Sequence, residues 1–341
     1  MPPRKPTSPR ARRLRRTLAC AVSISGIMLT TAGPGHADPY APPVPVPDLA
    51  PSTLDVRYAA ERGAIEKALG TAREVGDTDR VRALGAFLRP GRRFLHFDPR
   101  GGGRAVEVIG DLTRAERVVV LVPGADTTLT SFDDRGDKPW STPGGAARAV
   151  YAQALSGSPR AEPAVVAWLG YASPRTFSGD VLTGDRADEG GVRLRRFLEG
   201  LHRVNPSAGV GLLCHSYGSV VCGRAALDGP GRPGTPRGAA WRQVTDIALY
   251  GSPGTTAWSA AELGGTARIW AGRGAADWME EVPHVRILGL GLGPDPVSPS
   301  FGARVFDAGA GGHSDYLAPG STSLRNLTGI ALGRVSDVTP G

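Results

Sequence analysis

Apolar and polar residues follow two different periods along this 341-residue chain, and the change of period divides it. From Thr53 to about Leu88 apolar side chains recur at helical spacing among charged ones, with a break near Gly76-Asp77, which predicts two helices. From Arg92 onward short β-branched and aromatic runs take over. Phe94–Phe97 and Ala105–Val108 flank a Pro-Arg-Gly-Gly-Gly turn and predict a hairpin. Further runs at Arg117–Val122, Val165–Leu169, Gly209–Leu213, Ile247–Tyr250, Ala267–Ala271 and Arg304–Phe306 predict strands. Helical patterns lie between them at Ala146–Leu155, Val192–Leu201 and Ser219–Leu227. An antiparallel start followed by βα alternation predicts an α/β fold, with a mostly parallel central sheet and helices on both faces. The predicted organisation is a helical N-terminal extension at 53–90 and an α/β domain at 91–335.

What precedes Thr53 does not belong to this pattern. Residues 1–37 combine an Arg-rich start, an apolar stretch from about Thr17 to Ala32, and Gly35-His36-Ala37 as a small-x-small cleavage site. This tripartite order predicts a signal peptide and export, with the product secreted or associated with the cell wall. The Arg12-Arg13 and Arg15-Arg16 pairs leave the Sec and Tat routes both open. The apolar stretch is short for a membrane span, and the rest of the chain offers no other, so no stable membrane insertion is expected after cleavage. Residues 38–52 carry six prolines and predict an extended or disordered linker.

The N-terminus also explains the charge. The formal net charge is +8, which on its face suggests a nucleic-acid partner. Seven of the 40 basic residues fall in residues 1–37, where no acidic residue occurs; removing them leaves 33 basic against 32 acidic residues. The remainder is nearly neutral, and the expectation becomes a small-molecule substrate with no nucleic acid. Nothing in the sequence assigns an oligomeric state. Cys20 lies in the predicted signal, leaving Cys214 and Cys222. In an exported protein such a pair can form a disulfide or remain as two small core residues, and the sequence leaves both open.

The candidate chemistry sits at Cys214-His215-Ser216-Tyr217-Gly218, between the predicted strand ending at Leu213 and the helix starting at Ser219. This is close to the G-x-S-x-G nucleophile elbow, with Cys214 in place of the first glycine. A sharp strand-to-helix turn lifts the serine out of the sheet and aims the next N–H, that of Tyr217, at the place where an oxyanion would form. A serine hydroxyl needs a base, and the base needs an orienting acid. In the order Ser, acid, His, the Gly-rich loop after Ala271 supplies Asp277, and Gly309-Ala310-Gly311-Gly312 supplies His313. Asp295 is the second candidate acid and His284 the second candidate base. His36 falls in the signal, His215 diverges from its neighbour Ser216, and His96 and His202 lie on a strand and a helix. No histidine pair has metal-ligand spacing, so neither metal nor cofactor is expected. The loop Pro123-Gly124-Ala125-Asp126 follows the third predicted strand; its Ala125 N–H is the expected second oxyanion donor, with Asp126 next. The polar stretch Thr127–Pro143, with Phe132 and Trp140, is expected to line the acyl or leaving-group pocket.

Taken together, Val-Pro-Gly-Ala-Asp, Cys-His-Ser-Tyr-Gly-Ser, Tyr250-Gly251-Ser252-Pro253-Gly254, the Asp277 loop and Gly-Gly-His-Ser-Asp-Tyr resemble the actinobacterial DUF1023-type α/β-hydrolases over about residues 92–325. The resemblance implies the α/β-hydrolase fold and a Ser-Asp-His triad carried by Ser216, Asp277 and His313. It supplies no substrate. The expected activity is hydrolysis of a small-molecule ester or lipid-like substrate. An amidase or peptidase with the same triad, and a non-catalytic binding protein on the same fold, are the alternatives. Only about 16 residues separate the strands at 250 and 267, which leaves little room there for a large lid.

Overall fold

The computed structural model describes residues 38–134, 136–157, 162–176, 178, 184–227, 238–284 and 291–341. The predicted signal peptide lies outside the described residues. The Pro-rich segment runs without regular structure from residue 39 to the turn at Pro51–Thr53, and two apolar side chains pin it. Tyr40 and Leu49 are both buried. The Arg80 guanidinium sits 4.8 Å from the centroid of the Tyr40 ring. Helix α1 (Leu54–Glu74) and helix α2 (Thr78–Phe87) follow, and the Asp77 carboxylate caps α2 by accepting from the Arg80 N–H at 3.0 Å.

The strands are β1 (Arg93–Asp98), β2 (Arg104–Ile109), β3 (Arg117–Val122), β4 (Pro163–Leu169), β5 (Gly209–His215), β6 (Val244–Tyr250), β7 (Arg268–Gly272) and the two-residue β8 (Arg304–Val305). They form one eight-stranded sheet in the order β1-β2-β4-β3-β5-β6-β7-β8. The β1–β2 and β2–β4 pairs are antiparallel and all others parallel. Longer helices complete the architecture: α3 (Pro143–Gly157), α4 (Asp185–Val204), α5 (Gly218–Leu227) and α6 (Thr322–Ala331). The chain is thus the expected α/β fold with a helical N-terminal extension.

Side-chain alternation along the strands assigns the two faces. On β3, Val118, Val120 and Val122 enter the core shared with α4 and α5. Val119 and Leu121 enter the opposite core, shared with α1, α2, α3 and α6. The same period turns Cys214 on β5 toward the α5 face, and α5 presents Cys222 there. The two sulfurs are bonded, with Cα atoms 6.5 Å apart. Of the two possibilities the sequence left open, the structure has the disulfide.

Helix α4 begins about two turns before the predicted Val192. Asp185 and Asp188 in its first turn complement the helix N-terminus. Gly190 and Gly191, which break the apolar pattern, lie inside the helix because α5 packs against them. A Cβ on Gly191 would stand 2.9 Å from the Ala225 nitrogen. Strand order reverses at β3, which has β4 on one side and β5 on the other. Loops leaving β3 and β5 therefore diverge at their C-terminal ends and open a crevice, the usual ligand position in such sheets.

Candidate active site

Ser216 stands at that crevice. It follows β5 directly and has φ of 52°, a left-handed conformation rare outside glycine. The turn is held on both sides: the Ser216 N–H donates to the Tyr250 carbonyl at 3.0 Å, and the Ser219 N–H donates to the Ser216 carbonyl at 2.9 Å. The Ser219 hydroxyl donates to the Cys214 carbonyl at 3.0 Å. Gly218 is required by close approach, since a Cβ there would lie 2.3 Å from the Val122 oxygen. Cys214 takes the place of the first glycine without strain of that kind, because its side chain goes into the α5 face and into the disulfide.

His313 and Asp277 meet at the same end of the sheet. The His313 Nδ1–H donates to both Asp277 carboxylate oxygens, at 2.9 and 3.0 Å. Asp277 also accepts from the Met279 N–H at 2.9 Å and the Tyr316 hydroxyl at 2.5 Å. Burial opposes ionisation of this carboxyl, but the bonds from His313, Tyr316 and Met279 outweigh it and hold the group below its ordinary value. The Tyr316 hydroxyl in turn accepts from the Gly274 N–H at 3.1 Å, and burial beside Asp277 pushes its pKa up. It therefore stays protonated and donating. The exposed Trp278 ring packs against the His313 imidazole with centroids 4.9 Å apart.

The second candidates go elsewhere. Asp295 is paired with Arg273 at 2.6 Å. His284 lies 3.2 Å from both the Pro253 and the Met279 carbonyl oxygens. His215, set aside as a base, reaches the site in another role: its Nε2–H donates to the His313 carbonyl at 2.9 Å, and its ring lies 4.7 Å from that of His313. The pattern in the sequence that could have pointed to it is only its adjacency to Ser216. Tyr316, three residues past His313, carried no such signal.

Around Ser216, His313 and Tyr217 lies a cavity of about 440 Å³. Its wall is mostly apolar, with Leu121, Trp140, Met279, Val282, Leu292 and Leu317 contributing. No Lys or Arg of the described residues lines it, and Asp126 is the one acidic residue that does. That carboxylate is engaged by the Thr176 N–H at 3.1 Å and by the Thr176 hydroxyl. Ala125 lines the cavity next to Ser216 and Tyr217, while the Asp126 N–H is committed to the Pro174 carbonyl at 2.9 Å. Phe132 corrects an expectation. It is fully buried, with its ring 5.2 Å from Phe87 and 6.4 Å from Phe94, and does not line the cavity. Trp140 does. The loop that carries Trp140 is tied to the His313 loop by the Lys138 ammonium, 2.8 Å from Asp315. Among the described residues no group of three or more His, Cys, Asp or Glu could hold a metal ion.

A parallel sheet with the crevice at its switch point, and a serine, a histidine and a carboxylate gathered there, define an α/β hydrolase type of protein. The alpha/beta hydrolase family profile matches residues 98–287, more than half of the chain, and the chain belongs to that family. Two uncharacterized proteins of Mycobacterium tuberculosis are similar to it. Rv2079 is 30% identical over 275 residues, covering 70% of this chain and 38% of its own length. The chain thus spans well under half of that relative. Rv0963c is 30% identical over 268 residues, covering 75% of this chain and 87% of its own length. Among solved structures, a serine hydrolase without lid from Xanthomonas campestris is 16% identical, with a TM-score of 0.41 over 72% of this chain and 95% of that one. The esterase domain of a Rhodothermus marinus protein is 12% identical, with a TM-score of 0.37 over 69% and 93%.

Proposed function

We propose that this protein is an exported serine hydrolase of the DUF1023 type that cleaves carboxylic esters through an acyl-enzyme. The observation that carries the reading is the Asp277–His313 pair, opening on the same cavity as a serine held at positive φ. In the proposed reaction the Ser216 Oγ attacks the ester carbonyl carbon and its proton passes to His313 Nε2. Asp277 keeps Nδ1 protonated and stabilises the imidazolium. The N–H groups of Tyr217 and Ala125 take the oxyanion. Collapse expels the alcohol, which leaves with the proton from His313. Water then attacks the acyl-enzyme with His313 as base, and the carboxylic acid departs.

The cavity wall supports an uncharged, apolar acyl group, since no Lys or Arg of the described residues lines it to hold a phosphate or carboxylate. The near-neutral balance beyond residue 37 supports a small molecule rather than a nucleic acid. Export, to a secreted or cell-wall location, rests on the tripartite pattern of residues 1–37. No helix among the described residues is long and apolar enough to cross a membrane.

A fluorophosphonate probe tests the reading. The protein is expected to be labelled, and Ser216→Ala to abolish labelling. An unlabelled wild type, or equal labelling of the variant, would overturn it. Nitrophenyl esters are expected to turn over faster than the matching anilides; the reverse order would make the protein an amidase.

A further inference from the structure

The segment leaving β4 touches everything that would hold the oxyanion. The Tyr171 hydroxyl donates to the Pro123 carbonyl at 2.8 Å and approaches the Gly124 carbonyl at 3.3 Å. The Ser173 hydroxyl donates to the Gly124 carbonyl at 2.9 Å, and the Thr127 hydroxyl does so at 3.1 Å. Ser173 also accepts from the Thr127 N–H at 3.2 Å, which closes the loop on itself. The next residue, Pro174, accepts from the Asp126 N–H, and Thr176 donates to the carboxylate of Asp126, a residue with φ of 57°.

Peptide geometry gives these bonds a direction. The described bonds are all trans, so the Gly124 C=O and the Ala125 N–H point opposite ways across one rigid plane. Tyr171 and Ser173 lie outside the cavity lining, whereas Gly124, Ala125 and Ser216 form part of it. Drawing the Gly124 oxygen toward Tyr171 and Ser173 therefore turns the Ala125 N–H toward the cavity. The other donor is braced from the same place. The fully buried Tyr171 ring lies 6.4 Å from the Tyr217 ring, at 18° between planes, and 6.1 Å from the Trp168 ring on β4 at 15°.

We infer that Tyr171 and Ser173 are positioning residues for transition-state binding: the β4 exit sets the aim of the Ala125 N–H and buttresses the residue that supplies the second N–H. This rests on the hydrolase reading above. Neither side chain touches the substrate; both act through the Pro123-Gly124-Ala125 backbone. Without the brace the Gly124 oxygen keeps only the Thr127 hydroxyl, and the oxyanion loses part of the aim of a donor while ground-state binding in the apolar cavity is unaffected.

Tyr171→Phe keeps the ring stack and removes the hydroxyl; Ser173→Ala and Ser173→Thr remove and restore the second donor. Each deletion is expected to lower kcat on a nitrophenyl ester roughly 10-fold, a fraction of the 10²–10³ that outright loss of a donor costs, with KM within about twofold. Affinity for a trifluoromethyl ketone, which forms the tetrahedral adduct, should fall by the same factor as kcat/KM. Ser173→Thr should recover both. Unchanged ketone affinity in Tyr171→Phe and Ser173→Ala overturns the inference, whatever their kcat or melting temperature. Fluorophosphonate labelling of the wild type at Ser216 separates the two levels: its absence overturns the hydrolase reading and this inference together, while its presence with unchanged ketone affinity overturns this inference alone.

Discussion

The His215 imidazole lies beside that of His313, ring centroids 4.7 Å apart, and its Nε2–H holds the His313 carbonyl at 2.9 Å. A carbonyl only accepts, so this bond fixes the tautomer of His215 and anchors the loop that presents the proposed base. His215→Phe keeps the ring and deletes the bond. A net hydrogen bond is worth about 0.5–1.5 kcal/mol, so kcat for an ester should fall roughly 2- to 13-fold with KM nearly unchanged. Steady-state kinetics check this, and a variant with wild-type kcat refutes it.

Asp277 has a larger predicted effect because its loss changes the proton inventory as well as the geometry. Asp277→Asn should lower kcat by about 10⁴, since an amide can present its NH₂ to Nδ1 and favour the wrong tautomer. Tyr316→Phe removes one of the carboxylate's four contacts and should cost only about 10-fold. Measuring kcat/KM for both variants tests the ranking; equal losses would contradict it.

The Cys214–Cys222 bond closes a short loop, the two residues being eight apart in sequence, around the nucleophile. Loop-closure entropy for such a ring is about 2–3 kcal/mol. The Cys214→Ala, Cys222→Ala double variant should lose about that much in urea unfolding. Thiol titration of unfolded wild type without reductant should find no reactive thiol among these two; finding both would remove the bond.

Glu61 on α1 gives the protein an alkaline liability. Burial pushes its pKa from 4.5 to about 7, against the partial relief of Arg57 and the Phe97 N–H. The folded value exceeds the unfolded one, so its contribution is full below pH 4.5 and is lost as pH rises through about 7. The loss is about 3 kcal/mol at most. Glu61→Gln should therefore match wild type near pH 4.5 and melt at a higher temperature than wild type at pH 8. Parallel melting curves at the two pH values would contradict the assignment.

The apolar wall predicts a chain-length series. Each buried methylene is worth about 0.8 kcal/mol, so kcat/KM for linear acyl esters should rise roughly fourfold per carbon until the cavity is filled, then level or fall. A flat profile from acetyl upward would show that the acyl chain lies outside the cavity.

The elbow, the Asp277 loop and the His313 loop were legible because each is a short contiguous run whose chemistry depends on local turn geometry and chain order. Their supports were not. Tyr171, Ser173, His215 and Tyr316 make contacts that arise only when the loops after β3, β4, β5 and β7 and the His313 loop converge, and no spacing in the chain encodes that convergence. Phe132 shows the complementary difficulty. An aromatic residue in a polar loop can face a cavity or the core, and here the rings of Phe87 and Phe94 drew it inward. Likewise, the predicted helix starts at Val192, just past Gly190 and Gly191; the approach of α5 gives α4 a reason to have no side chains there.

Lys138, 42% exposed, bonds Asp315 and so links the loop that carries Trp140 to the loop that carries His313. An ion pair this wet contributes little to stability. It is a light latch, and its two halves are the substrate's wall and the proton carrier's mount. On the proposed reading, a bulky ester that pushes this wall outward must strain the latch and with it the mount of the base, whose ring Asp277 and whose carbonyl His215 still hold. Selectivity by size would then appear in turnover before it appears in binding, with salt easing the penalty for large substrates and leaving small ones untouched.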